Sequence, residues 1–426
     1  MASLPLLRYT VIVNAEIIAV GSELLTPFRQ DTNSLFLTER LNALGVEVVF
    51  KTIVGDVREN LAGAARIALS RTDIVIFSGG LGPTEDDLTR EAVADVLELD
   101  MRRDPNMVAH IAKMFASRKM RMTENNMRQA DAIAGAVILP NTLGTAPGQW
   151  IRAMYEGRQR IVLLLPGPPH ELKTMFDEQC LDRLREVVPL LFIATRIRKV
   201  AMVGESLLDS QIAPIYQRYP DVQTTILAAA GEIQIHLRAR SSSLEEAEAR
   251  VERLVGEIED ELDDVIFSRG EESLEQIAGD YLQMRGATVA VAESCTGGLL
   301  GQRLTSVSGS SRHFRGGVIV YSNELKTQFA GVHPRLMEEH GAVSREVAIA
   351  LAQGIRQRCC ATFGVGITGI AGPTGGSDDK PVGLVFVALA GEDSTQVIEK
   401  TYPGDRQRIR WFASQQALDM IRRRLM

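Results

Sequence analysis

A chain of 426 residues is longer than one hydrophobic core usually sustains, and at roughly 150 residues per domain it divides into two or three, the element pattern favouring three. Its 45% apolar and 24% charged residues exclude extended disorder, and no apolar stretch nears the roughly 20 residues of a membrane-spanning helix. The net charge of −7 supplies no global attraction to nucleic acid, and Cys180, Cys295, Cys359 and Cys360 lack any CxxC or zinc-ligand spacing, so reduced thiols are expected.

Leu4-Pro5-Leu6-Leu7 precedes Arg8, which reverses the charge order of a secretory signal, and a cytoplasmic location is the expectation. The first buried strand is Ala15-Glu16-Ile17-Ile18-Ala19-Val20-Gly21, so residues before Asn14 are expected outside the fold, with Val13 a candidate native start. A helix follows with Leu35, Leu37, Leu41 and Leu44 as its apolar set, then the strand Val46-Glu47-Val48-Val49-Phe50, a helix over 59–70 and the strand Asp73-Ile74-Val75-Ile76-Phe77-Ser78. Strands alternating with helices imply a sheet covered on both faces. After Gly167-Pro168-Pro169 a helix over 170–187 leads to a boundary at Pro189.

The rhythm changes over 195–267. A strand over 196–203, a short helix, strands over 224–229 and 232–240 around Ala230-Gly231, and a helix over 244–262 give a βαββα order. Ala247, Val251, Leu254, Val255, Ile258 and Leu262 fall on one face of that last helix. A KH module that grips RNA needs a GxxG loop, and this stretch has none, so spacing and dimer contact outrank RNA binding. From Leu274 the βα alternation resumes, with strands near 287–292, 316–321, 363–367 and 382–389. Arg422, Arg423 and Arg424 read as a solvated helix C-terminus complementing its dipole.

Four segments carry chemistry. Ser78-Gly79-Gly80-Leu81-Gly82-Pro83-Thr84-Glu85-Asp86-Asp87 follows a strand and opens a helix, where glycines admit a phosphate close to the backbone. Asp86 and Asp87, placed in the first helical turn, either complement the dipole or hold a divalent cation. Ala292-Glu293-Ser294-Cys295-Thr296-Gly297-Gly298 is a second strand-to-helix turn, with amides expected to be unpaired and the N–H groups near Cys295, Thr296 and Gly297 as oxyanion donors. Tyr321-Ser322-Asn323-Glu324-Leu325-Lys326 ends a strand with a phenol and an amine, and Gly366-Ile367-Thr368-Gly369 ends another. Lysine serves as a base only where burial or charge lowers its pKa. Tyr321 is placed to relay the proton or orient a hydroxyl, Thr368 to hold an amide or ribose, and Arg408 to meet a phosphate, with Arg406 its competitor and Ser311 a weaker contact. Cys295 is the rival nucleophile, since a helix N-terminus lowers a thiol pKa.

Together the last three segments resemble the nicotinamide-nucleotide amidohydrolase (NMN deamidase) domain of the CinA, competence/damage-inducible protein A, family over about residues 270–426. The glycine loop, with Gly21-Ser22-Glu23-Leu24-Leu25, Gly144-Thr145-Ala146-Pro147-Gly148 and Pro166-Gly167-Pro168-Pro169-His170-Glu171, resembles the molybdopterin-binding-type domain of the same family. The resemblance implies an α/β protein with two three-layer α/β domains, 1–180 and 269–426, joined by a small α+β (KH-like) middle domain, 181–268. It carries the nucleophile onto Ser294 and the general base onto Lys326. It puts phosphate binding on Gly79, Gly80, Gly82 and Thr84 and metal or water activation on Asp86 or Asp87, with Asn33 and Glu23 at the rim. His170 and Glu171 read more readily as helix caps than as catalytic groups.

The implied activities are hydrolysis of NMN to nicotinic acid mononucleotide and ammonia, without a cofactor, and of ADP-ribose to AMP and ribose 5-phosphate with Mg2+, Mn2+ or Co2+. Both substrates are small nucleotides, and a homodimer without membrane or nucleic-acid partners is expected. Ser78 and Leu81 stand where molybdenum-cofactor enzymes commonly carry threonine, which counts against the alternative of molybdopterin handling. A third reading, an interaction protein in DNA uptake or recombination, gains little from the acidic balance.

Overall fold

The computed structural model describes residues 13–426 except 118, 120 and 190, so the expectations for residues 1–12 lie outside the described residues, while Val13, expected outside the fold, packs against a core cluster and its carbonyl accepts from Glu47 N–H at 3.1 Å. The chain forms two compact units, 13–193 with 240–247 and 194–239 with 248–426.

In the first unit a six-stranded sheet runs Glu47–Val54, Asn14–Val20, Ile74–Ser78, Arg158–Leu165, Gly148–Tyr155, Val137–Leu139. The first four strands are parallel, with Ile17 opposite Ile76 and Ile76 opposite Leu163. Their continuous apolar runs suit a sheet buried on both faces. Because successive side chains alternate, Ile17, Ile76 and Leu163 pack with Leu37, Leu41 and Phe176 on one side. Ile18, Phe77 and Leu164 pack with Leu61, Leu69 and Val93 on the other. Three layers result. Leu35 departs from its expected core role: two residues from Leu37, it points about 200° away around the helix and is 65% exposed. The hairpin Gly148–Tyr155 and Arg158–Leu165, which sequence periodicity did not resolve, makes the sheet mixed. The predicted helix over 170–187 is Pro169–Met175 and Leu181–Val187 with a π-helical turn, Phe176–Cys180, between them.

The KH-like sheet runs Val222–Ala229, Glu232–Ser241, Phe192–Ala201, Ile266–Ser268. Helix Leu244–Leu262 buries all six residues assigned to its apolar face. The C-terminal sheet runs Phe314–Ile319, Val289–Glu293, Phe363–Gly369, Leu384–Ala390, Thr395–Thr401, the first three parallel and the last two antiparallel. Helix Arg345–Arg358 lies so close to Phe363–Gly369 that a Cβ on Gly366 would stand 2.4 Å from Ala348 O. Only glycine fits there. Helix Arg406–Leu425 closes the fold, and its end corrects one expectation. Arg422 is buried, bonded to Asp419 at 2.7 Å and to Asp264 O at 2.8 Å, rather than solvated. Among the described residues no helix is long and apolar enough to cross a membrane.

Candidate functional site

Three adjacent parallel strands of the C-terminal sheet end at one edge, and each carries an expected functional residue there. Ser294 follows Val289–Glu293, Tyr321 lies just beyond Phe314–Ile319, and Thr368 is the penultimate residue of Phe363–Gly369. Main-chain bonds fix the alignment: Ser294 N–H donates to Ile367 O at 3.0 Å and Val320 N–H to Glu293 O at 2.8 Å. Carboxyl ends of strands are where open α/β sheets place ligands. Ser311 is at the opposite edge, before the start of Phe314–Ile319, which corrects its assignment as a contact.

Gly297 and Gly298, at φ of +58° and +92°, turn the chain into helix Leu299–Ser306. The helix end is not open, as the sequence suggested. The buried Glu293 carboxylate accepts N–H bonds from Gly298 (3.0 Å), Leu300 (3.1 Å) and Gly301 (2.8 Å). A fixed carboxylate there cancels the partial positive charge of the helix end, so an anionic substrate group must be met elsewhere. Of the three expected oxyanion donors, Gly297 N–H is engaged by Ser294 O at 3.1 Å. Among the described residues, Cys295 and Thr296 N–H have no main-chain acceptor.

Lys326 comes from helix Asn323–Ala330, whose N-cap Ser322 Oγ accepts from Leu325 N. Its side chain is 2% exposed, and Nζ donates to Tyr321 O at 3.3 Å. Burial holds this amine below the ordinary lysine range, against the opposing influence of Cys295 and Glu324. Cys295 sits in the core with Leu300, Ile367 and Tyr402, and burial pushes its thiol up to about 12. It is protonated at neutral pH, which counts against the thiol as the rival nucleophile.

Tyr321 is 58% exposed and its hydroxyl accepts from Arg406 Nη2 at 2.8 Å, while Arg406 Nη1 donates to Gly372 O at 2.8 Å. The phenol therefore pairs with Arg406, and it is the Tyr321 carbonyl that meets Lys326. Thr368 Oγ1 donates to Ala342 O at 2.7 Å and keeps lone pairs free to accept. Arg410, missed in the sequence reading, donates from Nε and Nη2 to Thr296 O at 3.0 and 2.6 Å and braces the turn that carries Ser294. Helical spacing was the available signal, since Arg406 and Arg410 are i,i+4 and share a face. Arg408 points away from it: its guanidinium lies 5.6 Å from the centre of the Phe412 ring and lines a different cavity.

The N-terminal constellation also sits at strand ends. A Cβ on Gly79 would stand 2.4 Å from Val20 O, and one on Gly80 2.1 Å from Thr89 Oγ1, so the loop requires its glycines. Its carbonyls turn inward: Thr89 Oγ1 donates to Gly79 O (2.9 Å), and the buried Arg90 to Leu81 O (2.8 Å) and Gly82 O (3.2 Å). Among the described residues the amides of Gly80, Leu81 and Gly82 have no main-chain acceptor. Helix Thr89–Leu97 begins after Asp86 and Asp87, so neither is in its first turn as expected. The half-buried Asp87 accepts from Thr84 N at 2.8 Å and closes the loop, which also engages Thr84, while Asp86 faces solvent. Among the described residues no three His, Cys, Asp or Glu side chains converge as a metal cluster. Mg2+ is commonly held by one or two carboxylates plus substrate phosphates, and the exposed Asp86 leaves one such ligand at the loop.

Beside the loop a cavity of about 530 Å³ is lined by Glu23, Arg29, Asn33, Ser78, Gly167 and His170. Asn33 is buried rather than at a rim: Nδ2 donates to Ser78 Oγ (2.9 Å) and Gly167 O (2.8 Å), and Oδ1 is left without a partner. Glu171 accepts from Asn141 Nδ2 at 2.7 Å, bracing the loop before Gly148.

Three family models match the chain: "Probable molybdopterin binding domain" over residues 16–186, "Damage-inducible protein CinA KH domain" over 195–268 and "CinA C-terminal domain" over 271–425. The CinA-like protein of Koribacter versatilis is 61% identical over 411 residues, 96% of this chain and 99% of that one. The CinA-like protein of Dictyoglomus thermophilum is 39% identical over 420 residues, 97% of this chain and all of its own length, 100%. Among solved structures, competence/damage inducible protein CihA from Agrobacterium tumefaciens is 38% identical, covering 36% of this chain and 96% of its own, with a TM-score of 0.34.

Proposed function

The chain belongs to the CinA family, and on that premise we propose that it is a cytoplasmic two-site hydrolase of pyridine-nucleotide salvage, acting as a homodimer on NMN and ADP-ribose. The observation that carries the reading is a buried Lys326, its pKa lowered by desolvation, at the same sheet edge as Ser294. Neutral Lys326 Nζ takes the Ser294 hydroxyl proton as Oγ attacks the carboxamide carbon of NMN, and the oxyanion is met by Cys295 and Thr296 N–H. The protonated amine then gives that proton to the carboxamide nitrogen, which leaves as NH3 as the C–N bond breaks. Water, deprotonated by the same amine, releases nicotinic acid mononucleotide from the acyl-serine and restores the hydroxyl. Arg406, which forms no salt bridge among the described residues, is the better placed partner for the substrate phosphate than Arg408.

In the first unit, the free amides of the glycine loop and the adjoining cavity suit the diphosphate and one ribose of ADP-ribose. Asp86, with Asp87 behind it, would hold a divalent cation, which when bound offsets the diphosphate charge and acidifies a water. Incubating the protein with each substrate, with and without EDTA, tests the division of labour: ADP-ribose hydrolysis is expected to stop and NMN deamidation to continue. Equal loss of both would refute it. Asp86→Asn is expected to lower only ADP-ribose hydrolysis, by roughly two orders of magnitude. Full activity in both Asp86→Asn and Asp87→Asn would leave these residues as loop structure alone.

The working form of Lys326 is the neutral amine, so deamidation is expected to rise with pH and level off. Because burial lowers the folded-state pKa, the midpoint should fall below the ordinary lysine value of about 10.4. A kcat/KM profile that rises with a midpoint at or above that value would rule out a desolvated lysine base.

A further inference from the structure

Within the second unit, a crevice of about 280 Å³ separates the KH-like sheet from the C-terminal sheet and lies away from Ser294. Lys400 and Arg408 contribute two cations to its wall, and among the described residues neither forms a salt bridge. Tyr402 and Phe412 stack with rings parallel and centroids 5.2 Å apart, leaving Phe412 half-buried at the crevice, where the Arg408 guanidinium already lies over it. From the other side come Gly204 and Glu205, the start of helix Glu205–Tyr216, whose cap supplies no side-chain acceptor to its first amides. Two cations without a salt bridge, an aromatic ring covered on its outer side only by one of them, and one carboxylate are the complement of a phosphate, a base and a ribose hydroxyl pair. The volume, near the lower end of small-molecule sites, suits one nucleotide rather than two.

We propose that this crevice is a second ligand site that binds a ribose phosphate of mononucleotide size, separate from both hydrolytic sites. Lys400 and Arg408 hold the phosphate, Phe412 carries the base on the face that Arg408 leaves as it turns to that phosphate, and Glu205 accepts from the ribose. This assignment does not depend on the hydrolase reading. It also places Arg408 in a binding role that its distance from the nucleophile turn otherwise leaves unexplained. Tyr402 forms the inner wall and packs in the same core cluster as Cys295.

Hydrogen exchange of the full-length protein, with and without saturating AMP, ribose 5-phosphate or inorganic phosphate, tests the site by location rather than by turnover. AMP is expected to protect the segments around 203–207 and 400–412. Lys400→Gln with Arg408→Gln is expected to weaken that protection roughly tenfold in ligand concentration. Equal protection by AMP and ribose 5-phosphate would assign recognition to the sugar phosphate, and protection by AMP alone would add the base; both support the site. Protection confined to 78–89 or 294–298, or unchanged in the double variant, overturns it. Loss of NMN and ADP-ribose turnover in the wild type would refute the hydrolase reading and leave this result standing.

Discussion

Ser294→Ala and Lys326→Met are each expected to cut ammonia release from NMN by roughly three or more orders of magnitude, because members of one catalytic unit fail together when either is removed. Methionine keeps the volume of a side chain that is 2% exposed, so the loss reports the amine rather than a cavity. Cys295→Ala is expected to retain substantial deamidation. Its thiol is held protonated by burial, and removing it takes one small group out of a core with Leu300 and Ile367. A lowered melting temperature, from about 1 kcal/mol of lost packing, is its expected signature. A dead Cys295→Ala beside an active Ser294→Ala would make the thiol the nucleophile and overturn the mechanism.

Glu293→Ala is expected to be the most damaging substitution that touches no substrate atom. Three amides that now donate to one buried carboxylate would be left without acceptors, at about 1 kcal/mol or more each. The turn they fix carries Ser294 and the amides of Cys295 and Thr296, so deamidation should fall with stability. Glu293→Gln separates the two effects. Its amide oxygen can still accept from Gly298 and Leu300 but its NH2 faces Gly301 N–H, so it should fold with a reduced kcat and a nearly unchanged KM. Wild-type stability and activity in Glu293→Ala would show that the carboxylate neither caps the helix nor shapes the turn.

Strands buried on both faces were legible in the sequence because Ile17-Ile18 and Ile74-Val75-Ile76-Phe77 admit few other readings. Helix Leu244–Leu262 was legible because its period of 3.6 runs uninterrupted for five turns. The hairpin Gly148–Tyr155 with Arg158–Leu165, the strand Thr395–Thr401 and the short pairing of Met101–Arg103 with Asp131–Ile133 were not, since their outer positions are polar or irregular and tertiary pairing decides them. The segments bearing Ser294, Tyr321, Lys326 and Thr368 could be placed at strand ends from local pattern alone. What could not be placed was side-chain direction. Glu293 reads in sequence as one more carboxylate beside a serine, and only the fold shows it turned back onto the helix end. Arg406, Arg408 and Arg410 are interchangeable by composition, and the rotation of one helix decides which of them meets the turn.

The bond from Ser294 N–H to Ile367 O joins the Ser294 turn to a strand that follows long after it in the chain, while Tyr321 and Lys326 come from the opposite neighbour. Parallel pairings of this kind close large loops and form slowly, because loop-closure entropy precedes any contact gain. An emerging chain that has released the serine from the ribosome thus lacks the sheet that would arm it. The arrangement of Ser294, Tyr321, Lys326 and Thr368 is therefore a property of the finished topology, because Phe363–Gly369 supplies both Thr368 and the carbonyl that fixes the Ser294 turn.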